Sequence, residues 1–188
     1  MTRHIVQEAN EAPDGRRTAP AALRNTSPMI EALRTRLPTQ GRVLEVASGT
    51  GQHAAAFAEA YSDLKNLAEP LAIDVAAPWP IAHGYVQAVL TINLLHLIPE
   101  PFVSRRFEEA YAALSDGGRM IVYGPFLRGS SYASEGDRAF DASLRARDPA
   151  IGYKSFDAVS EVARAAGLTP VATDAMPANN LLLTFAAP

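Results

Sequence analysis

The segment Val43-Leu44-Glu45-Val46-Ala47-Ser48-Gly49-Thr50-Gly51-Gln52-His53 constrains the fold more than any other stretch of the chain. A short apolar run carries an acidic residue, turns on two glycines and enters the amphipathic stretch 53–61. That pattern is a buried strand, a tight turn and a helix N-terminus, with which α/β proteins hold a nucleotide-like cofactor. Glycine lets the backbone approach a ligand closely, and the first helical turn supplies N–H donors that have no partner inside the helix.

The remaining elements fit the same class. Ser27 as cap and Pro28 at the first helical position predict a helix that ends near Leu37, before Pro38 and Gly41. A first strand is expected over 42–47, and Ala54, Phe57, Ala58 and Tyr61 share one face of the following helix. Leu71-Ala72-Ile73-Asp74 is short, apolar and acid-terminated, which predicts another parallel strand, and 86–93 predicts a buried one. Residues 101–115 carry Val103, Phe107, Ala110, Tyr111 and Leu114 on one side, with Gly117-Gly118 as the stop. A strand over 119–123, helices near 137–147 and 156–166, and closing strands at 168–175 and 181–185 complete the series. Strands alternating with helices indicate a parallel sheet, and two late strands joined by Met176-Pro177-Ala178-Asn179-Asn180 indicate an antiparallel hairpin at its edge. Residues 1–20 are polar, with Pro13, Gly15 and Pro20, and read as a flexible lead-in to a single domain over 21–188.

Composition narrows the function classes. The chain has 188 residues, 48% of them hydrophobic, enough for one core. A net charge of −3 with scattered Lys and Arg gives no nucleic-acid surface. Without cysteine there is no disulfide or thiolate metal site, and His4, His53, His83 and His96 lack metal-ligand spacing, so no metal is expected. No secretory signal and no run of about 18 apolar residues is visible, which predicts a cytoplasmic protein without a membrane segment.

The acid on the first strand, the Gly-x-Gly turn and the closing hairpin resemble the class I S-adenosylmethionine-dependent methyltransferases. Six further segments narrow the resemblance: Ala22-Leu23-Arg24-Asn25-Thr26-Ser27-Pro28, the 45–53 turn, Ile92-Asn93-Leu94-Leu95-His96, Tyr123-Gly124-Pro125-Phe126, the stretch 140–149 and Met176-Pro177-Ala178-Asn179-Asn180-Leu181. In this order they resemble the DUF938 family, also called methyltransferase-like 26, over roughly residues 20 to 186. The resemblance implies a Rossmann-like class I methyltransferase sheet, mostly parallel with a C-terminal antiparallel hairpin. It implies S-adenosylmethionine as cofactor and a small-molecule methyl acceptor. Glu45 and the turn Ala47, Ser48, Gly49, Thr50, Gly51 would lie under the cofactor's methionine and ribose. Asn93 and Leu94 would border the reacting methyl group, and Arg24 and Asn25 would approach the amino-acid end.

One departure stands out. Family members carry a second strand and helix between the first helix and the strand ending at Asp74, whereas here only residues 62–73 intervene. A parallel crossover alone needs a dozen or more residues, so the sheet is expected to be one strand short. A natural deletion, an engineered one or an omitted segment each fits. Alternatively, 71–74 takes the vacant second position, since Asp74 follows Gly51 by 23 residues, close to the roughly 20 expected for a ribose-binding acid.

The candidate chemistry is weighed against simpler roles. Glu45 at a strand end wants a ligand hydroxyl, an ammonium or backbone donors. His53 in a helix first turn either meets ligand or merely packs. Asn93 could orient a nucleophile, and His96 could act as its general base or as a buried structural histidine. Tyr123, Phe126 and Phe140 are either an aromatic wall over the substrate or plain core. Asn179 and Asn180 line the pocket or serve the turn. Glu135, Asp141, Arg145 and Arg147 could read a polar substrate or form a solvated helix face, and Trp79 pins a loop. Residues 49–54 also satisfy a loose dinucleotide fingerprint, which leaves a nicotinamide oxidoreductase as a third reading beside the enzyme and a degenerate, non-catalytic binding or scaffold protein. A shortened sheet exposes an edge, which predicts a homodimer.

Overall fold

A computed structural model describes residues 10–11, 17–18, 20–61, 68, 70–74 and 77–188. Most of the lead-in lies outside the described residues. Within it, β1 (Asn10–Glu11) pairs antiparallel with β2 (Arg17–Thr18).

Helix α1 spans Pro20–Leu33, so it begins well before the expected Ser27 cap and keeps Pro28 inside. A mid-helix proline costs about 3 kcal/mol because it removes one N–H bond and crowds the preceding turn. The buried face Ala22, Asn25, Met29 and Leu33 offsets this, as Met29 and Leu33 are fully buried against the sheet. Thr26 Oγ1 donates to the Ala22 carbonyl at 2.7 Å in the turn just before the proline. Local capping chemistry is real at Ser27-Pro28, but tertiary burial decides where the helix starts.

The strand β3 (Val43–Val46) feeds helix α2 (Gln52–Ala60) through the Gly-Thr-Gly turn. Residues 71–74 pair with no strand among the described residues, which corrects the expectation of a parallel strand there and of its sliding into the second position. Leu71 is exposed, and Asp74 is tied through its carbonyl to Arg106 Nη1 at 3.4 Å. An apolar run of three residues has no claim on a sheet without a neighbour to pair with; here Ile73 packs on the core instead.

Then follow β4 (Val86–Ile92), the 3-10 turn Leu95–Leu97, α3 (Glu100–Ala113) and β5 (Leu114–Gly124). Next come β6 (Phe126–Leu127), α4 (Glu135–Arg147), β7 (Lys154–Ser155), α5 (Phe156–Ala165), β8 (Thr169–Ala175) and β9 (Leu181–Ala186). Helix α3 ends at Ala113, before the glycine pair expected to stop it; those glycines fall inside β5 at an irregular register.

The sheet order is β3-β4-β5-β9-β8, with β3, β4 and β5 parallel and β9 and β8 antiparallel additions. This is the Rossmann-like class I methyltransferase arrangement with its closing hairpin, and among the described residues β3 and β8 are its two edges. Alternation along β4 and β5 divides the core. Val89, Met120 and Val122 face α3 and α5, where Phe107 and Phe185 meet edge to face at 5.4 Å. Leu90, Ile121 and Tyr123 face α1 and α2. No helix among the described residues is long and apolar enough to cross a membrane.

Candidate functional site

The parallel strands β3 and β4 end side by side, with Val46 opposite Thr91, and the chain leaves both ends through left-handed backbone. Ala47 has φ 61° and Asn93 φ 55°. A left-handed residue with a Cβ costs about 1–2 kcal/mol, and such strain concentrates where function imposes it. Gly49 and Gly51 are also left-handed, at 56° and 73°, and a Cβ at either would meet nothing within 4 Å. Conformation, not crowding, therefore selects glycine here, and the space over the turn is open. Gly51 caps α2 without a side-chain hydrogen bond, which leaves the helix N-terminus to other partners.

A cleft of about 100 Å³ is lined by Ala22, Glu45, the turn residues Ala47 to Thr50, Gln52, His53, Ile92 and Asn93. It is too small to engulf a drug-sized ligand, so such a ligand would lie partly in it and partly over the open turn. Glu45 is its most telling member. Oε2 is buried and has no hydrogen-bond partner among the described residues. Burial pushes the carboxyl up to about 7, partly offset by Ser48. His53 is buried on α2, stacks on Phe57 at 5.7 Å and lies 3.4 Å from Thr26 Oγ1 of α1; burial lowers its pKa.

Around β5 the structure separates what the sequence grouped. Tyr123 and Phe126 are buried on different sides of the sheet, so they do not form one wall with Phe140, which is 37% exposed. Phe140 instead lies at 6.0 Å from the His96 ring, and Tyr153 lies at 6.3 Å. His96 is buried, and burial together with the Lys154 charge lowers its pKa to about 4, against an upward pull from Asp141. A base that weak is poorly matched to proton abstraction near neutrality; His96 is a neutral imidazole here.

Asn180 Nδ2 donates to the Tyr123 hydroxyl at 3.0 Å, and Asn179 Nδ2 donates to Asp137 Oδ2 at 3.0 Å, docking the hairpin loop on α4. Asp141 is not free to read a substrate. It accepts from the Tyr132 hydroxyl at 2.6 Å, the Tyr153 N–H at 2.6 Å and Arg145 Nε at 2.9 Å, and these bonds hold its carboxyl below the usual range against the pull of burial. Gly152 beside it has φ 133°, and a Cβ there would collide with Asp141 and Arg145.

Asn25 is buried on α1, Arg24 is exposed on the same helix with its charge felt at Tyr123, and Leu94 is buried in the main core. None of these, nor Asp74, is among the residues lining the cleft.

The model of the family described as "Protein of unknown function (DUF938)" matches residues 16–65 and 60–187. The chain belongs to the DUF938 family. The DUF938 match comes in two pieces that meet at 60–65, where the connection to Asp74 is short.

Solved structures share the fold at low identity. An O-methyltransferase family protein from Burkholderia thailandensis superposes with a TM-score of 0.69 at 15% identity, covering 89% of this chain and 57% of that one. The chain thus spans little more than half that protein's length. A structure described as PigF with SAH gives 0.69 at 18%, covering 89% and 64%. The complex between the Haloferax volcanii Trm112 methyltransferase activator and a putative methyltransferase gives 0.65 at 14%, covering 89% and 92%.

Sequence reasoning missed Ala22, Gln52 and Ile92 as cleft residues, although all three lie in or beside segments that carried the family resemblance. It also missed Lys154, which no motif marks and which only the β6–β7 pairing brings toward His96.

Proposed function

We propose that the cleft holds S-adenosylmethionine and that the protein transfers its methyl group to a small-molecule acceptor. The observation that carries this is Glu45 Oε2, a buried carboxylate oxygen with no partner among the described residues, facing a cleft beside a strained, open turn. An orphaned buried acceptor costs free energy unless a ligand's donors satisfy it, and a ribose hydroxyl or an ammonium has those donors. The backbone of Ala47–Gly51 and the uncapped start of α2 would cradle the same ligand, with His53 and Gln52 at its side. Arg24 and Asn25 would approach its amino-acid end, and Asn93 and Leu94 its reacting end. The bound group supplies an activated methyl on a sulfonium; the protein's task is to hold the acceptor in line with it. The methyltransferase neighbours, one described with SAH, and the resemblance to methyltransferase-like 26 support the reading.

Calorimetric titration of the 188-residue chain with S-adenosylhomocysteine tests it, beside Glu45→Gln and Gly51→Val. Binding in the native chain that is lost in both variants is expected. A folded native chain that binds nothing overturns the proposal and returns the non-catalytic scaffold reading. The same proposal has two copies pairing along the β3 edge; a monomer by light scattering at micromolar concentration sinks that part.

A further inference from the structure

We infer that Glu45 reads the charge of what enters the cleft: it holds a proton while the cleft is empty and releases it to solvent when a ligand's ammonium arrives. This deepens the methyl-donor reading and rests on it for the identity of the ligand. It adds a coupled proton, and with it a preference for a cationic ligand over a neutral one.

The surroundings of the carboxyl carry this. Glu45 is half-buried on β3 and borders the cleft, with Oε2 out of reach of water and of any hydrogen-bond donor. The Ser48 hydroxyl donates to the Glu45 backbone carbonyl at 3.3 Å rather than serving Oε2. Opposite Glu45 on β4 stands Leu90, whose side chain has no donor. Helix α1 sends Ala22 into the cleft, α2 sends Gln52 and His53, and β4 leads into it with Ile92 and Asn93. His53 is the second titratable residue of that lining, and its burial favours the uncharged imidazole. Arg24 on α1 is exposed and outside the lining, and no ion pair among the described residues involves Glu45.

A carboxylate drawn out of water with neither a donor nor a cation beside it is poorly stabilised, and such a group keeps its proton instead. The rise of this carboxyl to about 7 agrees. An ammonium reverses the balance, because an opposite charge within a few ångströms favours the ionised form. A hydroxyl does not, since a protonated carboxyl accepts a hydrogen bond from it and stays uncharged. The exchange is balanced. Glu45 gives one proton to the buffer, carboxylate and ammonium then face each other, and the pair is neutral before and after.

Calorimetric titration of the full chain with S-adenosylhomocysteine, repeated in buffers of different ionisation enthalpy, counts the protons released. At pH 6 about one proton per ligand is expected to leave, falling toward zero by about pH 8. Affinity should rise about fivefold from pH 6 to pH 7 as the competing proton is lost. The neutral analogue 5′-deoxy-5′-methylthioadenosine shares the adenosine and the thioether but has no ammonium. Its binding should release no proton and change little with pH. Infrared difference spectra, bound minus free, name the source: a protonated-carboxyl band should vanish as a carboxylate band appears. S-adenosylhomocysteine that binds without releasing a proton, or at the expense of a proton on the His53 ring, overturns the inference and leaves the methyl-donor reading standing. Equal release by both ligands overturns it too, since Glu45 then answers the ribose they share. A folded chain that binds S-adenosylhomocysteine at no pH defeats the methyl-donor reading and the inference together.

Discussion

The two ends of the sheet invite comparison. At the amino ends of the strands a groove of about 410 Å³ runs between residues 34–39, Gln87 and 115–119. It is the larger of the two depressions, yet several charged groups on and beside it are paired. Arg36 holds Asp174 through two bonds of 2.8 and 2.7 Å, Arg119 Nη1 donates to the Arg36 carbonyl at 3.0 Å, and the Arg42 N–H donates to Gln87 at 2.7 Å. At the carboxyl ends the smaller cleft holds an orphaned carboxylate oxygen and two left-handed non-glycine residues. Size does not mark the site. Unmet hydrogen-bonding capacity and stored strain do.

The comparison can be broken most forcefully at Glu45. A carboxyl whose pKa rises on folding, here from 4.5 to about 7, stabilises the fold only while protonated. That contribution is complete below its unfolded value near 4.5 and lost as pH climbs through about 7. Glu45→Gln should therefore gain up to about 3 kcal/mol over the native chain above neutrality, with no gain in acid, while losing S-adenosylhomocysteine binding. Denaturant melts across pH check the first part and calorimetry the second. A native chain stabler than the variant at alkaline pH would remove the strain from this end.

At the wired end the expectation reverses. Arg36→Ala should cost about 1 kcal/mol, the bidentate bond being discounted for its partial exposure, and leave S-adenosylhomocysteine affinity unchanged. A thermal melt paired with one titration suffices. Smallest is Ala47→Gly, which relieves a left-handed alanine and should stabilise by about 0.5–1 kcal/mol after the added chain entropy; a chain destabilised by this change would mean that the methyl of Ala47 does more packing than strain.

Much of this was legible in the letters where local chemistry is self-sufficient. The 43–46 run, the Gly-Thr-Gly turn and the 86–92 run each declare a strand or turn without help, and Glu45 follows from an acid among apolar neighbours. Where burial overrules a local signal, reading fails. Ser27-Pro28 is a good start signal inside a helix that begins at Pro20, because Met29 and Leu33 are worth more than a cap. The run 71–74 has strand letters and no strand to join. The neutrality of His96 was illegible for another reason: its field comes from Lys154, placed by the pairing of two-residue strands that carry no pattern.

Arg106 and Trp79 give the short connection a mechanical character. Arg106 donates to the carbonyls of Asp74 and Ala77, lies 5.3 Å from the Trp79 ring, and Glu109 Oε2 accepts the Trp79 backbone N–H at 2.8 Å. These bonds act as a tie rod that carries load from the connection into α3 rather than into β3. The chain has one tryptophan, so its emission gauges this rod while circular dichroism gauges the sheet. If the rod lets go before the sheet does, the two optical transitions part, and the separation measures how far the connection is sewn into the cooperative unit.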